Sequence, residues 1–265
     1  MDQDAMTATP IKELTIVLAS QRSGSTVLCQ DVTAVGGLGV PNEYFLKLIG
    51  KNKPQNPGEQ PVLEAILQGQ DPARPEAAAI KMMLNQAPPI ATYIDGAAPL
   101  PPAQATQRVI DWARDRFERV AIIALVRDNS LDQAISKAVA NASQTWHQDS
   151  EAKKNEKAGK PAQDFDHSSD SFQLEILKAL PLFIRQKKII QKIVRQNTDI
   201  AHLLRYDDIS AQPDETAQAI AAHTRALGFS PQGQPSNRTL KKLVDSDRSA
   251  QIKASFRAFV ERHSG

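Results

Sequence analysis

The chain has 265 residues, of which 41% are apolar and 23% charged, and its formal net charge is +2. This composition is close to that of an ordinary globular protein, and the length suits one large domain with a sizeable core. The small net charge argues against bulk binding to nucleic acid or membranes, and the single cysteine, Cys29, excludes an intrachain disulfide.

Four short apolar runs predict buried strands of a parallel sheet. The first, residues 14–19, is far too short for a signal sequence or a membrane span, and the residues before it have no basic segment of the kind that signal sequences carry. We therefore expect a cytoplasmic protein. The other three runs lie at 78–83, 120–126 and 200–204. Runs of this kind suit a parallel sheet that is covered on both faces.

Helical patterns separate the predicted strands. The first predicted helix, 26–34, stops at the Gly36-Gly37 pair, which is a common C-terminal signal. The long pattern at 171–196 contains Pro181, which predicts a kink or a division. Strands alternating with helices favour a doubly wound α/β fold. The remaining helices are predicted at 108–117, 131–142, 215–227 and 249–263.

Three segments interrupt this order and are predicted as mobile loops. Residues 51–61 and 87–103 are rich in proline, and residues 147–171 are highly charged. None of them is long or different enough to mark a domain boundary. We therefore expect a single domain spanning residues 1–265, with the loops gathered on one side.

The stretch QRSGST, residues 21–26, joins the first predicted strand to the first predicted helix. Gly24 is free to take a backbone conformation that other residues avoid, and the N–H groups of such a turn converge on an anion. Arg22 adds a fixed positive charge. Because the Walker A lysine is absent, a single 5′-phosphate is expected rather than a triphosphate with magnesium, although an ordinary polar turn is an equal alternative. The hydroxyl donors of the stretch are Ser23, Ser25 and Thr26.

A second motif, LVRDNSLDQAIS, places Arg127 where the third strand is predicted to end. Residues 128–130 are typical of a helix N-cap, and Ser136 then falls about two turns into the helix. An arginine at a strand end and a serine on the helix flank would grip a phosphate from two sides. Taken alone, a surface arginine and a solvated serine explain the pattern better.

The third motif, GVPNEYF, places Glu43 in the loop after the first helix, with Tyr44 and Phe45 directly behind it. A carboxylate beside apolar rings can be desolvated, which is one way in which a protein makes a general base. An ordinary loop glutamate is the simpler interpretation of this motif alone.

Taken together, the motifs resemble the bacterial sulfotransferases typified by mycobacterial trehalose 2-sulfotransferase. The resemblance runs in the family's order from TIVLASQRSGSTVL through GVPNEYF, IKMMLNQ, LVRDNSLDQAIS, QTWH and LLRYDDI to the C-terminal block. It implies a P-loop-like nucleotide-binding (sulfotransferase) fold, with a central parallel sheet flanked by helices. It also implies 3′-phosphoadenosine 5′-phosphosulfate (PAPS) as sulfuryl donor and 3′-phosphoadenosine 5′-phosphate (PAP) as product.

The resemblance also assigns roles to residues of this chain. Glu43 matches the proposed catalytic base, and Arg22 matches the group that neutralises the leaving oxygen. Ser23, Gly24, Ser25 and Thr26 match the 5′-phosphate loop, while Arg127 and Ser136 match the residues at the 3′-phosphate. Gln21, Tyr44 and Phe45 are expected near the acceptor. Lys242 matches a basic contact to the 3′-phosphate, and Trp146 and His147 match a motif beside the nucleotide.

The sequence therefore predicts a metal-independent sulfotransferase that acts on a hydroxyl of a glycan, a glycolipid or a small metabolite. The stretch that follows the base lacks the tryptophan of the trehalose enzyme, so trehalose specificity does not carry over. The family suggests a homodimer, which the 87–103 segment could serve, and neither a nucleic-acid partner nor a membrane span is expected. The alternatives are an ATP-using kinase or hydrolase and a non-catalytic PAP-binding module.

Overall fold

A four-stranded, all-parallel sheet lies at the centre of the molecule, in the strand order β2-β1-β3-β4. The structure is a computed structural model that describes residues 10–49, 58–143, 165–233, 235, 238 and 246–264. Each strand coincides with one of the predicted apolar runs to within one residue at either end. The strands are β1 (Glu13–Ala19), β2 (Ala77–Met83), β3 (Arg119–Val126) and β4 (Ala201–Arg205).

Helices cover both faces of this sheet, as the predicted fold class requires. Within the described residues, the helices are α1 (Ser25–Val35), α2 (Leu46–Ile49), α3 (Gln60–Leu67), α4 (Ala87–Asp95), α5 (Pro102–Arg116), α6 (Ser130–Ser143), α7 (Asp170–Gln196), α8 (Tyr206–Ala211), α9 (Pro213–Ala226) and α10 (Ser246–His263). None of them is long and apolar enough to cross a membrane.

Alternate residues of the strands enter two separate cores because strand side chains point to opposite faces. Ile16 and Leu18 of β1 pack on the face that α3, α4 and α5 cover, whereas Val17 packs on the face of α1 and α9. Every residue of β1 and β2 is buried, as expected for strands covered on both sides. A third cluster joins α6, α7 and α10 beside the sheet.

The strand order places the ends of β1 and β3 side by side. The chain leaves β1 toward β2 on one side and later adds β3 on the other, so the order reverses at β1. In open α/β sheets, ligands bind beyond the carboxyl ends of the strands at such a switch point. The segments that follow Ala19 and Val126 therefore meet at the position where a ligand site is expected.

Two predictions about secondary structure are wrong in part. The proline-rich segment at 87–103 is not one loop, because residues 87–95 form α4 and α5 begins at Pro102. Proline is tolerated in a first helical turn, where its missing N–H has no partner within the helix. Pro181 does not divide α7, which is one helix from Asp170 to Gln196.

The other two predicted loops lie mainly outside the described residues. Of the 51–61 segment, residues 58–61 are described, and they lead into α3. Of the 147–171 segment, residues 165–171 are described, and they lead into α7.

Candidate active site

The turn between β1 and α1 has the backbone of an anion-binding loop. Gly24 takes a left-handed conformation (φ 93°) and has no side chain with which to cap α1, so no N-cap side chain occupies the first N–H groups of this helix. Ser23 is buried, and its hydroxyl donates to the carbonyl of Ser20 at 2.8 Å, which closes the turn. Arg22 is also left-handed, with φ 59°. Non-glycine residues in this conformation are often found at ligand sites.

Two arginines meet over this loop. The Arg22 Nε donates to the Ser136 Oγ at 3.1 Å, and the Arg127 Nη1 lies 3.5 Å from the Arg22 carbonyl oxygen. Burial lowers the pKa of Arg22, and the positive charge of Arg127 lowers it further. Two cations that repel each other in a partly buried place favour an anion between them. The structure thus brings together Arg22 from the turn after β1 and Arg127 and Ser136 from the motif after β3.

Tyr206 closes this side of the loop, and sequence reasoning did not identify it. The Arg127 guanidinium stacks over its ring, with 4.6 Å between the guanidinium carbon and the ring centroid. The same ring lies against Gly24 so closely that a β-carbon there would be 2.3 Å from the Tyr206 Cδ2. Gly24 is therefore required both by its backbone conformation and by this contact. Because Tyr206 directly follows β4, the rule that ligands bind beyond strand ends could have found it.

Glu43 is fixed by contacts at both of its carboxylate oxygens. The Lys81 Nζ lies 2.9 Å from Glu43 Oε1, and the Gln86 Nε2 donates to Glu43 Oε2 at 2.9 Å. The backbone N–H of Glu43 donates to the Asn42 side chain at 2.8 Å. The carboxylate is thus held by a cation and an amide, not by the neighbouring rings that the sequence suggested. Each carboxylate oxygen has two lone pairs, so both contacts leave accepting capacity for a proton.

Lys81 connects Glu43 to the loop. Its side chain is 5% exposed and points from β2 toward α1, where the Nζ lies 3.4 Å from the Thr26 Oγ1. A buried lysine is rare unless it is paired. The sequence does carry a signal for it, because Lys81 is a single charge within the apolar strand AAAIKMM. Gln86, three residues past the end of this strand, lies with Lys81 in the IKMMLNQ block of the resemblance, which assigns a role to neither residue.

A cleft of about 440 Å³ opens beside this group, between α1 and the segment that leads to Glu43. It borders Lys81, whose Nζ pairs with the Glu43 carboxylate, and Asn42, whose side chain accepts from the Glu43 backbone N–H. Cys29 lies in its wall, and burial raises the pKa of this thiol to about 12, so the cysteine is a packing residue. The cleft is lined by Thr26, Cys29, Gln30, Thr33, Ala34, Pro41, Asn42 and Lys81.

The three expected acceptor contacts have different environments. Gln21 is half-buried, and its side-chain oxygen accepts from the Lys137 Nζ at 3.0 Å, at the edge of the loop. Tyr44 is half-buried and donates to the Val40 carbonyl at 2.8 Å; burial raises its pKa. Phe45 has no exposed surface and packs in the core. This burial corrects the prediction for Phe45, whose side chain supports the Glu43 segment and does not face an acceptor.

Three further predicted residues, Lys242, Trp146 and His147, lie outside the described residues. Arg238, which precedes Lys242 in the same C-terminal block, does lie within the described residues. Arg238, four residues earlier, forms a two-pronged ion pair with the fully buried Asp31 of α1, with N–O distances of 2.8 and 2.7 Å. Sequence analysis overlooked this pair, which joins the C-terminal part of the chain to the helix that follows the anion loop.

The comparisons with known proteins agree with this geometry. A family model described as Stf0 sulphotransferase matches residues 15–258. A search of curated proteins found no significant match.

Several solved structures share a distant likeness with the chain. A sulfotransferase from Alicyclobacillus acidocaldarius is 14% identical, with a TM-score of 0.47, over 96% of this chain and 94% of its own. The sulfotransferase domain of the curacin biosynthetic pathway is 12% identical, with a TM-score of 0.45, over 97% and 99%. A retinol dehydratase in complex with retinol and PAP is 12% identical, with a TM-score of 0.39, over 95% and 82%. Likeness at this level carries no weight for the chemistry of this chain.

The family model spans nearly the whole chain, including the anion loop, Glu43, Lys81 and the Arg127 motif. The chain therefore belongs to the Stf0 sulphotransferase family, the PAPS-dependent enzymes that its sequence motifs resemble.

Proposed function

We propose that this enzyme transfers the sulfuryl group of PAPS to a hydroxyl of a glycan, a glycolipid or a small metabolite, with PAP as the second product. One observation carries the proposal: the Arg127 guanidinium lies against the Arg22 backbone of a left-handed turn at the start of α1, where the ends of β1 and β3 adjoin, and its charge acts on the Arg22 guanidinium. This arrangement offers backbone N–H groups and two positive charges to one anionic ligand, as a phosphosulfate requires.

The proposed reaction is an in-line transfer of the sulfuryl group, in which each residue of the site has a separate role. The acceptor oxygen attacks the sulfur atom while the bond from sulfur to the bridging oxygen of the 5′-phosphosulfate breaks. The hydroxyl proton passes to the Glu43 carboxylate, which Lys81 and Gln86 hold in place. Arg22 neutralises the negative charge that develops on the bridging oxygen, which then leaves with PAP. The loop residues Ser23, Gly24, Ser25 and Thr26 hold the 5′-phosphate.

The contact between Lys81 and Thr26 argues against an ATP-using enzyme. In a Walker loop, the equivalent hydroxyl binds Mg²⁺, and the loop's own lysine contacts the β- and γ-phosphates. Here the Thr26 hydroxyl faces the ammonium group of Lys81, and Arg22 stands in the loop. A non-catalytic PAP-binding module would have no need for a carboxylate fixed at both oxygens, as Glu43 is.

We also propose a 3′-phosphate site at Arg127 and Ser136, with Lys242 as a further contact, and a cytoplasmic, homodimeric enzyme. The 3′-phosphate assignment is supported by the stacking of Arg127 on Tyr206, which holds the guanidinium at the edge of the loop. Arg22 donates to Ser136, which indicates that the two phosphate positions are close together.

The test is calorimetric titration with PAP and with ADP, which lacks the 3′-phosphate. We expect PAP to bind far more tightly. Arg127→Ala should weaken PAP about 10- to 150-fold and leave ADP nearly unchanged, because a charge-assisted hydrogen bond is worth about 1.5–3 kcal/mol. Arg257→Ala, at an exposed position on α10, is the matched control and should change neither affinity.

Equal losses for PAP and ADP in Arg127→Ala would assign Arg127 a structural role. Binding of ATP in preference to PAP would overturn the proposed donor. Incubation with radiolabelled PAPS and a panel of sugars, glycolipids and small alcohols then identifies the acceptor. Transfer of label to no member of the panel, together with tight PAP binding, would restrict the proposal to donor recognition.

A further inference from the structure

Arg238 forms a bridge between two helices of the candidate site. Its Nε donates to Asp31 Oδ1 at 2.8 Å and its Nη2 donates to Asp31 Oδ2 at 2.7 Å, while its Nη1 donates to the Ile209 carbonyl. Asp31 lies on α1 and Ile209 lies on α8. The guanidinium group therefore uses all three of its nitrogens to hold α1 and α8 together. We call this set of contacts the Arg238 bridge.

Both acceptors of the Arg238 bridge have a physical need for it. In a continuous α-helix the Ile209 carbonyl would accept from the N–H four residues later, but that residue is Pro213, which has no N–H. The Asp31 carboxylate has no exposed surface, and a charge at such a position is rarely found without a partner. Because the planar guanidinium makes two parallel hydrogen bonds to the carboxylate, the bridge also fixes the orientation of α8 relative to α1.

The first residues of both helices lie at the proposed donor site. Helix α8 begins with Tyr206, whose ring lies against Gly24 and under the Arg127 guanidinium. Ile209 is three residues after Tyr206, less than one helical turn away, and Asp31 is seven residues after Gly24, about two turns away. A shift of α8 against α1 therefore moves the Tyr206 ring at the Gly24 turn, and with it the guanidinium that stacks on this ring.

We infer that Arg238 is a positioning residue for the donor site and acts through Tyr206. It holds the Tyr206 ring against Gly24 and thereby places Arg127 for the 3′-phosphate of PAP. The inference rests on the proposed function, because it takes Arg127 and Ser136 as the 3′-phosphate site. The side chain of Arg238 is engaged by α1 and α8, so its effect on the donor passes through the two helices that it joins.

Calorimetric titration of Arg238→Lys tests the inference. An ammonium group can still pair with Asp31, but it cannot make the planar fork that binds Asp31 and Ile209 together. PAP affinity should fall about tenfold, whereas the affinity for ADP, which lacks the 3′-phosphate, should change less than about twofold. In a Tyr206→Leu background, Arg238→Lys should cost little further PAP affinity, because the residue through which Arg238 acts is gone.

Arg262→Lys is the matched control for this titration. Arg262 also pairs with an aspartate, since its Nη2 lies 3.2 Å from Asp170 Oδ1, but this pair is exposed and joins α10 to α7. The control change should alter neither the PAP affinity nor the ADP affinity.

A second measurement needs no ligand. The chain contains three tyrosines, Tyr44, Tyr93 and Tyr206, so the ring resonances of a tyrosine-labelled sample can be assigned by replacing each tyrosine with phenylalanine. In the absence of PAP, Arg238→Lys should move the resonance of Tyr206 and leave those of Tyr44 and Tyr93 in place.

A replacement pair keeps the test decisive if Arg238→Lys does not fold. Asp31→Leu with Arg238→Met removes the Arg238 bridge without leaving a buried charge, and the same changes in affinity and resonance are expected.

Three results would overturn the inference: an unmoved Tyr206 resonance, equal losses of PAP and ADP affinity, or losses that simply multiply in the Tyr206→Leu background. Movement of all three tyrosine resonances would also overturn it, because Arg238 would then have a general structural role. A wild type that does not prefer PAP to ADP would instead overturn the proposed function. In that case the ligand-free resonances still decide whether Arg238 positions Tyr206.

Discussion

Among the residues of the site, Glu43, the base that we propose, has a carboxylate of fixed orientation although it lies in a loop. Contacts to Lys81 and Gln86 hold both carboxylate oxygens, so the orientation of the group does not depend on the loop alone. The Lys81 Nζ also lies 3.4 Å from the Thr26 Oγ1, so Lys81 contacts both Glu43 and the turn at the start of α1. We therefore propose that Lys81 is a positioning residue that acts through Glu43.

A double-mutant cycle separates the role of Glu43 as the proton acceptor from the role of Lys81 as the residue that positions it. Glu43→Gln keeps the size of the side chain but removes the proton acceptor, and turnover with the acceptor found in the panel should fall about 10²–10⁴-fold. Lys81→Met should cost about 10²-fold, because it leaves Glu43 misplaced. In the Glu43→Gln background, Lys81→Met should cost little more, since the residue through which it acts is gone.

The controls of this cycle are PAP affinity and a distant glutamate. PAP should bind nearly as well in each variant, and Glu261→Gln, at an exposed position on α10, should leave turnover unchanged. If the losses in turnover simply multiply in the double variant, Lys81 does not act through Glu43. If Lys81→Met weakens PAP as strongly as it slows turnover, Lys81 serves the donor.

For some residues, the sequence could predict that the structure brings them together, because a local pattern contains them. Gly24 and Arg22 lie in a strand–turn–helix motif, and Arg127 stands at a strand end, so the sheet edge brings them together. Phe45 was misjudged, because nothing in the motif shows that its ring turns into the core while Glu43 turns outward. Tyr206 acts through a contact between distant parts of the chain, which local patterns do not show.

At the scale of elements, the start of α1 is the feature at which we propose that the donor binds. Gly24 combines a left-handed φ with the close approach of the Tyr206 ring. Gly96, at the end of α4, is also left-handed (φ 65°), but a β-carbon there would meet nothing within 4 Å. A comparison of Gly24 with Gly96 therefore separates the effect of a left-handed backbone from the effect of the contact with Tyr206.

Replacement of each glycine by alanine tests this difference. Both changes should lower the stability by about 1–2 kcal/mol, because alanine is strained in the left-handed region. Gly24→Ala should also lower PAP affinity at least about tenfold, since its methyl group displaces Tyr206 and with it Arg127. Gly96→Ala should leave PAP affinity unchanged. Denaturant unfolding and calorimetry measure the two quantities, and unaltered PAP affinity in Gly24→Ala would refute the proposed role of the turn.

The strands were predicted more accurately than the helices, for a physical reason. A buried parallel strand is a continuous apolar run, and Leu14 to Ala19 is one. Helix α4 contains Pro88 and Pro89 near its start, and these residues indicate a loop unless their position in the first turn is recognised. Helices α2 and α8 have four and six residues, too few for a helical period to be visible.

At the scale of the whole molecule, β4 and α9 are joined by two histidines. The rings of His202 and His223 stack with 5.2 Å between their centroids, and His223 Nε2 lies 3.1 Å from the Ile200 carbonyl oxygen. Burial lowers the pKa of both residues below 6.5, and for His202 the neighbouring His223 lowers it further. Protonation of either ring therefore disfavours the packing of α9 on the sheet.

This pair predicts an acid-sensitive fold. Since the folded-state pKa values are lowered, the unfolded chain binds more protons below about pH 6.5, and stability increases with pH in that window. The contribution is complete above the unfolded pKa of about 6.5 and is lost as pH falls through the folded values. Urea unfolding between about pH 7.5 and pH 5 should show this loss, and His202→Phe, which keeps a ring in the stack but cannot titrate, should reduce it. His202→Phe with His223→Gln should reduce it further. An unchanged pH dependence in both variants would assign the acid sensitivity to other groups and leave the histidine pair a packing contact alone.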